Sequence, residues 1–525
     1  MRFCFGTVGC ALCTLLLVSS CANETSESYA RIEQRSLDAW MKLYHPELLG
    51  NKQEARGYAY YVDVLEAGST DKADTLIAAT DCWVQYEFTA RDLSGNVCLT
   101  RSAVQAKQQG TFTRYTYYVP YFRYSGSDYT TMLEGSYYAL REPLNLSQEY
   151  IDLHPDRNLE NGMQARVGTE LMLYLPSSLA YATTGASDDA GYGGQYTLNA
   201  NLPAILHIKV TGRVSNPVAY EGGIVDKFVN ENGTVDPAED DTDDTERAKA
   251  DAVRRAIRST SEPELPDTSE DPYQYTWYLA VDTVPQLYIS HVFSPGREPA
   301  TTYRWQNTYS SPYSPYNEPM EAIDKKINDA LVERFGPGTY QGASIKSGET
   351  VNIWYIGRFL DGFVFDTNID EVKQIVYGEV QSEGSAYEYS VPEEGDTSSL
   401  ETIYAWYYSL PQLRYGQWAA IVTTSSYAYG ATGQTGGSSS SSSSSSSYLD
   451  YYNYYNYYNN YYGGLYNSSW YSSYYNNYYG GLYSSYYYSD YYSDYYDTSS
   501  STTTYTTEIP AYSPLLFEIY IEPAE

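Results

Sequence analysis

Apolar positions change their period along this chain, and the changes divide it. Leu37, Trp40, Met41 and Leu48 recur at roughly helical intervals and predict a helix over 36–49, preceded by a polar tether at 22–34. From Tyr58 the period becomes two: Tyr60, Val62 and Val64, then Trp83 and Gln85, alternate as strands do, with turns at Gly68 and Ser94-Gly95. Strand-like sequence continues to Val210. Between Glu221 and Pro272 the chain is rich in Asp, Glu, Thr and Pro and reads as an interdomain linker. One short helix is predicted inside it, over Asp243–Ser259, with its basic residues toward the end that the helix dipole favours.

A second patterned half begins near Tyr273 and includes a helix over Met320–Phe335 that stops at Gly336-Pro337-Gly338. Gly436 to Ser447 is nearly pure serine, and Leu449 to about Tyr496 is mostly Tyr, Asn and Ser. Such a tract lacks the aliphatic side chains for a packed core and predicts disorder. Glu508 to Glu525 is patterned again, with Leu515-Leu516-Phe517-Glu518-Ile519-Tyr520-Ile521 as a core strand. The tract is therefore an insertion in a loop, which costs little extra closure entropy, rather than a tail.

The two halves repeat each other. Residues 167–185 (VGTELMLYLPSSLAYATTG) parallel 415–433 (YGQWAAIVTTSSYAYGATG) without a gap, Leu202–Val210 parallels Pro514–Glu522, and Tyr86-Glu87-Phe88 parallels Tyr355-Ile356-Gly357. The expected organisation is a segment 1–20 to be removed, a tether and helix at 21–53, a β-rich domain at 54–213, the acidic linker at 214–272, and a second domain at 273–525 with an insert at 434–507.

Composition narrows the function. With 525 residues, 32 basic against 66 acidic and a net charge of −34, the chain is poorly suited to nucleic acid, whose binding rests on Lys and Arg neutralising phosphates. The four histidines (His45, His154, His207, His291) are scattered without metal-ligand spacing, and His207 is expected to face outward from a strand. Met1-Arg2 and the apolar run Gly9–Val18 form a targeting segment, too short to span a bilayer. It ends in Val18-Ser19-Ser20-Cys21, which resembles a bacterial lipobox and implies acylation at Cys21. Several acyl chains anchor firmly, at about 0.8 kcal/mol per buried CH₂. Cys10 and Cys13 fall inside the targeting segment; Cys82 and Cys98 are compatible with a disulfide or with two buried thiols.

One constellation carries chemistry. Val351–Gly357, Asp361-Gly362-Phe363-Val364-Phe365-Asp366, Glu401–Trp406, Tyr427–Gly433 and Ile509-Pro510 with Leu515–Phe517 occur in an order and at intervals that resemble the FKBP-type peptidyl-prolyl cis/trans isomerases. The match covers about a fifth of the chain. The resemblance implies an α+β fold with two FKBP-like units, each a bent antiparallel sheet wrapped around a short helix, the second interrupted by the disordered Tyr/Ser-rich insertion. It further implies a catalytic pocket of Tyr355, Phe365, Asp366, Ile403, Trp406, Tyr429 and Phe517, with Thr402, Gln434 and Ile509 contacting substrate. Trp406 would be its floor, and the Tyr429 hydroxyl and Ile403 N–H would hold the substrate carbonyl. Thr402, Ala405 and the insert after Gln434 depart from the family pattern. The first copy departs further: it keeps Tyr86 and Leu179–Gly185, but Cys98-Leu99 replaces the Phe-Asp pair and no tryptophan stands near Asn158, so a structural or binding role is expected there.

These residue types suit bond rotation. Turning an X–Pro amide out of plane costs about 18–20 kcal/mol of lost resonance and takes tens to hundreds of seconds unaided. An apolar slot disfavours the more polar planar amide, and fixed donors can hold the turned carbonyl. The reaction requires no cofactor or metal. The expected function is an isomerase acting on proline-containing unfolded or exported polypeptides, lipid-anchored in a bacterial cell envelope. The alternative is an FKBP-like binding or assembly lipoprotein without catalysis. Glycan binding by the Tyr-rich surface is a third reading, from composition alone.

Overall fold

The computed structural model describes residues 28–69, 76–186, 197–232, 234–235, short pieces between 277 and 316, 318–336, 342–440 apart from 394, 397–399 and 401, and 503–524. The segment 1–20 expected to be removed, Cys21, the helix expected over Asp243–Ser259 and the body of the Tyr/Ser-rich tract lie outside them. Among the described residues no helix is long and apolar enough to cross a membrane.

The protein is α+β, built on two mainly antiparallel sheets. In the first half, helix α1 (Tyr29–Tyr44) precedes β1 (Lys52–Ala55), β2 (Tyr58–Ala67), β3 (Cys82–Arg91) and β4 (Val97–Thr100). Helix α2 (Ala103–Gln109), β5 (Tyr121–Ser125), α3 (Glu134–Arg141), α4 (Gln148–Leu153), β6 (Thr169–Leu175) and β7 (Ala204–Val214) complete it. The sheet order is β1-β2-β6-β7-β3-β4, with β5 on β3. Two expectations change here. Helix α1 begins inside the polar tether and ends at Tyr44, Leu48 falling in the following 3-10 turn, and the stretch to Val210 is interrupted by three short helices. Each of those spans only 6–8 residues, too few to set up a visible helical period.

The second half opens with α5 (Pro217–Asn232), in the interval that composition assigns to the linker. Its Val225, Phe228 and Val229 are buried in the core under the second sheet. Then follow β8 (Thr234–Val235), β9 (Trp277–Ala280), β10 (Leu287–Ser290), α6 (Met320–Phe335), β11 (Thr350–Phe359), β12 (Val364–Thr367), α7 (Asp370–Val376), β13 (Tyr387–Ser390) and α8 (Tyr404–Ser409). The half ends with β14 (Trp418–Thr423), β15 (Gly437–Ser440), β16 (Thr503–Thr506) and β17 (Leu515–Pro523). The order is β12-β11-β17-β14-β10-β9-β8 with β13 on β11, and only the two-residue β8–β9 contact is parallel. The C-terminal strand β17 lies between β11 and β14, so the chain after the tract does return to the sheet containing Val351–Gly357. Strands β15 and β16 pair with each other and form the root of the insertion.

Strand registers align the halves more finely than the sequence did. Gly357 pairs with Asp366 and with Phe517; Ala90 pairs with Leu99 and with Leu206. Ile421 faces Phe517, and Leu173 faces Leu206. The residue in the place of Phe517 is thus Leu206, one later than the sequence parallel, and that of Tyr355 is Phe88 rather than Tyr86. The same alignment brings together the register shifts that follow Ala90 and Gly357 in the two sheets.

Because side chains alternate along a strand, the second sheet has two apolar faces. Val351, Ile353, Phe359, Ile421, Phe517 and Ile519 share one core with Trp406. Ile356, Val422 and Leu516 share the other with α6, whose Met320, Ile323, Ile327 and Leu331 follow helical spacing. Arg358 falls on that second face, 1% exposed, between Asp324 of α6 (2.8 Å) and Glu518 of β17 (3.0 Å), and Trp305 Nε1 donates to the same Asp324 at 2.7 Å.

Candidate active site

The first face of the second sheet gathers the aromatic residues. Phe365 lies across β11 at Gly357, where an added Cβ would come within 2.5 Å of the ring, so glycine there makes room for it. Phe365 meets Phe517 edge-on at 5.8 Å between centroids, Phe517 meets Trp406 edge-on at 5.8 Å, and Trp406 meets Tyr355 edge-on at 5.5 Å. Such contacts contribute roughly 0.5–1.5 kcal/mol each beyond burial. Tyr387 of β13 adds a further edge-on ring 6.0 Å from Trp406.

Trp406 is presented by α8, a single short run that starts from the extended Ile403, whose carbonyl accepts from Trp406 N–H at 3.1 Å. Thr402, half-buried, donates its hydroxyl to the same carbonyl at 3.3 Å. The indole Nε1 is buried without a hydrogen-bond partner among the described residues. Such a donor costs about 1–3 kcal/mol while it stays unpaired.

Two polar pairs edge the aromatic set. The Tyr355 hydroxyl donates to Asp366 at 2.6 Å. Burial, then the Asp366 charge, pushes that hydroxyl well above the usual tyrosine range, so it remains a donor at any physiological pH. Asp366 itself is solvent-exposed, so its charge is held by water as well as by Tyr355. At the other edge Gln434 and Ile509 exchange backbone hydrogen bonds of 2.8 and 2.9 Å, which closes the chain across the base of the insertion.

Tyr429 sits half-buried against the same core, on a turn that begins at Ser425. Glu221 of α5, fully buried, grips the start of that turn: Ser425 N–H donates to one carboxylate oxygen at 3.0 Å and Ser425 Oγ contacts the other at 2.9 Å. The first half repeats the device, with Glu33 of α1 accepting from the backbone and hydroxyl of Ser177.

Tyr355, Phe365, Ile403, Trp406, Tyr429, Ile509 and Phe517 therefore belong to one cluster; Asp366 joins it through Tyr355, Thr402 through Ile403, and Gln434 through Ile509. Trp406 is 5% exposed and Phe517 3%, whereas Tyr355, Ile403, Tyr429 and Gln434 are half-buried. The aromatic Tyr387, the clamp residue Glu221 and Tyr117 of the first half escaped sequence reasoning. Only Tyr387 left a signal, the alternation Tyr387-Glu388-Tyr389-Ser390.

Four register positions of the first sheet differ in chemistry from those of the second. Ala90, Cys98, Leu99 and Phe88 stand where the second has Gly357, Phe365, Asp366 and Tyr355, leaving neither carboxylate nor phenol. Asn158 lies exposed at the end of a 3-10 turn. Cys82 and Cys98 are free buried thiols, both pushed up by burial. His207 is half-buried on β7 with its Nε2 2.7 Å from Glu170. Among the described residues no three His, Cys, Asp or Glu are grouped to hold a metal ion.

No protein-family model matches the chain. No curated protein sequence matches it either. Among solved structures it is similar to the three FKBP domains of a wheat FKBP, at 10% identity over 88% of this chain and 94% of that one, with a TM-score of 0.19. It is also similar to a peptidyl-prolyl cis-trans isomerase of Pseudomonas syringae, at 14% identity over 36% of this chain and 99% of that one, with a TM-score of 0.20. FkpA of Escherichia coli matches at 12% identity over 41% of this chain and 75% of that one, with a TM-score of 0.21.

Proposed function

We infer that the protein is an FKBP-like peptidyl-prolyl cis/trans isomerase that assists folding of exported polypeptides, tethered to a bacterial envelope through a lipid on Cys21. The observation that carries this reading is the ring set Tyr355, Trp406, Phe517 and Phe365, assembled from four separate elements with the Tyr355–Asp366 pair at its edge. A proline ring entering over Trp406 replaces water with aromatic surface. The planar amide loses more solvation there than the turned one, which lowers the barrier. Ile403 N–H and the Tyr429 hydroxyl are the donors for the turned carbonyl, and Asp366 orients Tyr355. The first half is a duplicate of the same unit in which the site is erased: both sheets run in the same order, and both carry the helix-borne Glu that grips a Ser-led turn.

A protease-coupled proline assay tests the reading. Wild-type chain is expected to accelerate isomerisation, Trp406→Leu and Asp366→Val to abolish it, and Tyr429→Phe to lower kcat/KM about tenfold, as loss of one hydrogen bond to the turned carbonyl would. Absence of turnover both in the whole chain and in one lacking residues 436–506 would leave the binding or assembly role in its place.

A further inference from the structure

The first half reaches into the neighbourhood of the second half's pocket at two points. The segment between α2 and β5 lies against the second half. In it Tyr115 stacks on Tyr377 at 4.4 Å, and its carbonyl accepts from Thr507 Oγ1 at 2.8 Å. Two residues on, Tyr117 stacks flat on Phe359 at 3.9 Å and 8°, and its hydroxyl donates to the buried Asp361 at 2.7 Å. Phe359 in turn packs on Phe365, 5.2 Å away. Tyr117 thus backs the aromatic wall, and it belongs to the same cluster as Trp406.

The second point is Glu508, the residue before Ile509. Its carboxylate lies between Arg101 (2.7 Å) and Arg123 (3.4 Å), and both guanidinium groups sit over the ring of Tyr121, at 4.8 and 4.6 Å. Arg101 is 8% exposed at its side chain and also donates to Val119 O. These two cations hold the Glu508 carboxyl below its ordinary range against the opposing effect of burial. A carboxylate this sheltered keeps its charge only while its partners stay. Glu508 is therefore fixed to the first half, and Ile509 and its bridge to Gln434 are fixed with it.

We propose that the substrate site is composite: Tyr117, Arg101 and Arg123 of the first half are positioning residues that set the Phe359–Phe365 wall and the Ile509 edge of the second. This rests on the reading of the pocket as a proline-peptide site. It gives the erased first copy a task, that of bracing the loop end at which the insertion returns. Ile509 ends an excursion of roughly seventy residues, and the Glu508 ion pairs fasten that return to the first half in addition to the β15–β16 ladder.

The test uses the full-length chain with Arg101→Met, Glu508→Gln, their double variant and Tyr117→Phe. Amide hydrogen exchange at Ile509 and Gln434 is expected to quicken about tenfold in each single variant at Arg101 or Glu508, and no further in the double, as coupled partners require. In the proline assay KM should rise about tenfold for both, with kcat within a factor of about two, because the brace shapes binding rather than the rotating bond. Tyr117→Phe deletes one oxygen and leaves the ring stack. It should quicken exchange around Asp361 and Phe363 and raise KM in the same direction, so the proposal stays testable if Arg101→Met does not fold. Unchanged exchange at Ile509 in folded Arg101→Met, or additive effects in the double variant, would overturn it. A wild type without isomerase activity that still shows the coupled exchange would sink the enzyme reading and leave the brace standing.

Discussion

Arg358 shows how much a single side chain can hide. In an alternating strand a charge reads as the outward position, yet this guanidinium is 1% exposed and bound to Asp324 and Glu518. Burial pushes both carboxyls up while Arg358 pulls them back. Arg358→Met would leave two sheltered acids facing each other, and urea unfolding should show a loss of about 3–5 kcal/mol. Glu221 is the other buried acid of consequence. Burial pushes it up to about 7, with the Ser425 hydrogen bonds opposing. Between its unfolded pKa, near 4.5, and about 7 the folded chain holds a proton that the unfolded chain has released. Stability therefore falls as pH rises through that window, by on the order of 3 kcal/mol. In Glu221→Gln that component should vanish, so melting temperatures of variant and wild type, compared across pH 4.5–7.5, should draw apart with the variant gaining as pH rises. A constant offset across the window would count against a titrating Glu221.

At the scale of elements, packing between strands explains both what the aromatic cluster needs and what the sequence disclosed. Gly357 and Phe365 are a volume pair, the ring lying where a Cβ would stand, and Ala90 and Cys98 occupy the corresponding register positions in the first sheet. Gly357→Ala should cost about 1–3 kcal/mol and weaken proline-peptide binding, because the Phe365 ring must move; adding Phe365→Leu should recover most of the stability but not the binding. Thermal melts and peptide titrations of the single and double variants check this. The strands carrying the aromatic cluster were legible because their apolar residues alternate strongly; α6 was legible because its apolar positions keep helical spacing up to Gly336. Helix α5 was not: its two adjacent glycines and flanking acids match the linker composition, and only its contacts with the second core show what it is. The Glu221 and Tyr117 contacts join residues 204 and 244 positions apart, beyond the reach of any local pattern.

At the scale of the molecule, the insertion is rooted rather than tethered. Ser440 pairs with Thr503, so the two ends leave the structure side by side. Replacing residues 441–502 by a two-residue turn should therefore leave the melting temperature within about 2 °C. A larger fall would mean that the tract itself contributes to folding.

Cys82 and Cys98 lie in β3 and β4, both buried, and no cysteine occurs in the second half. An alkylating pulse read peptide by peptide thus times the opening of one sheet alone. Set beside amide exchange in β11 and β17 of the second sheet, it provides an internal clock for whether the two halves come apart in one event or in turn.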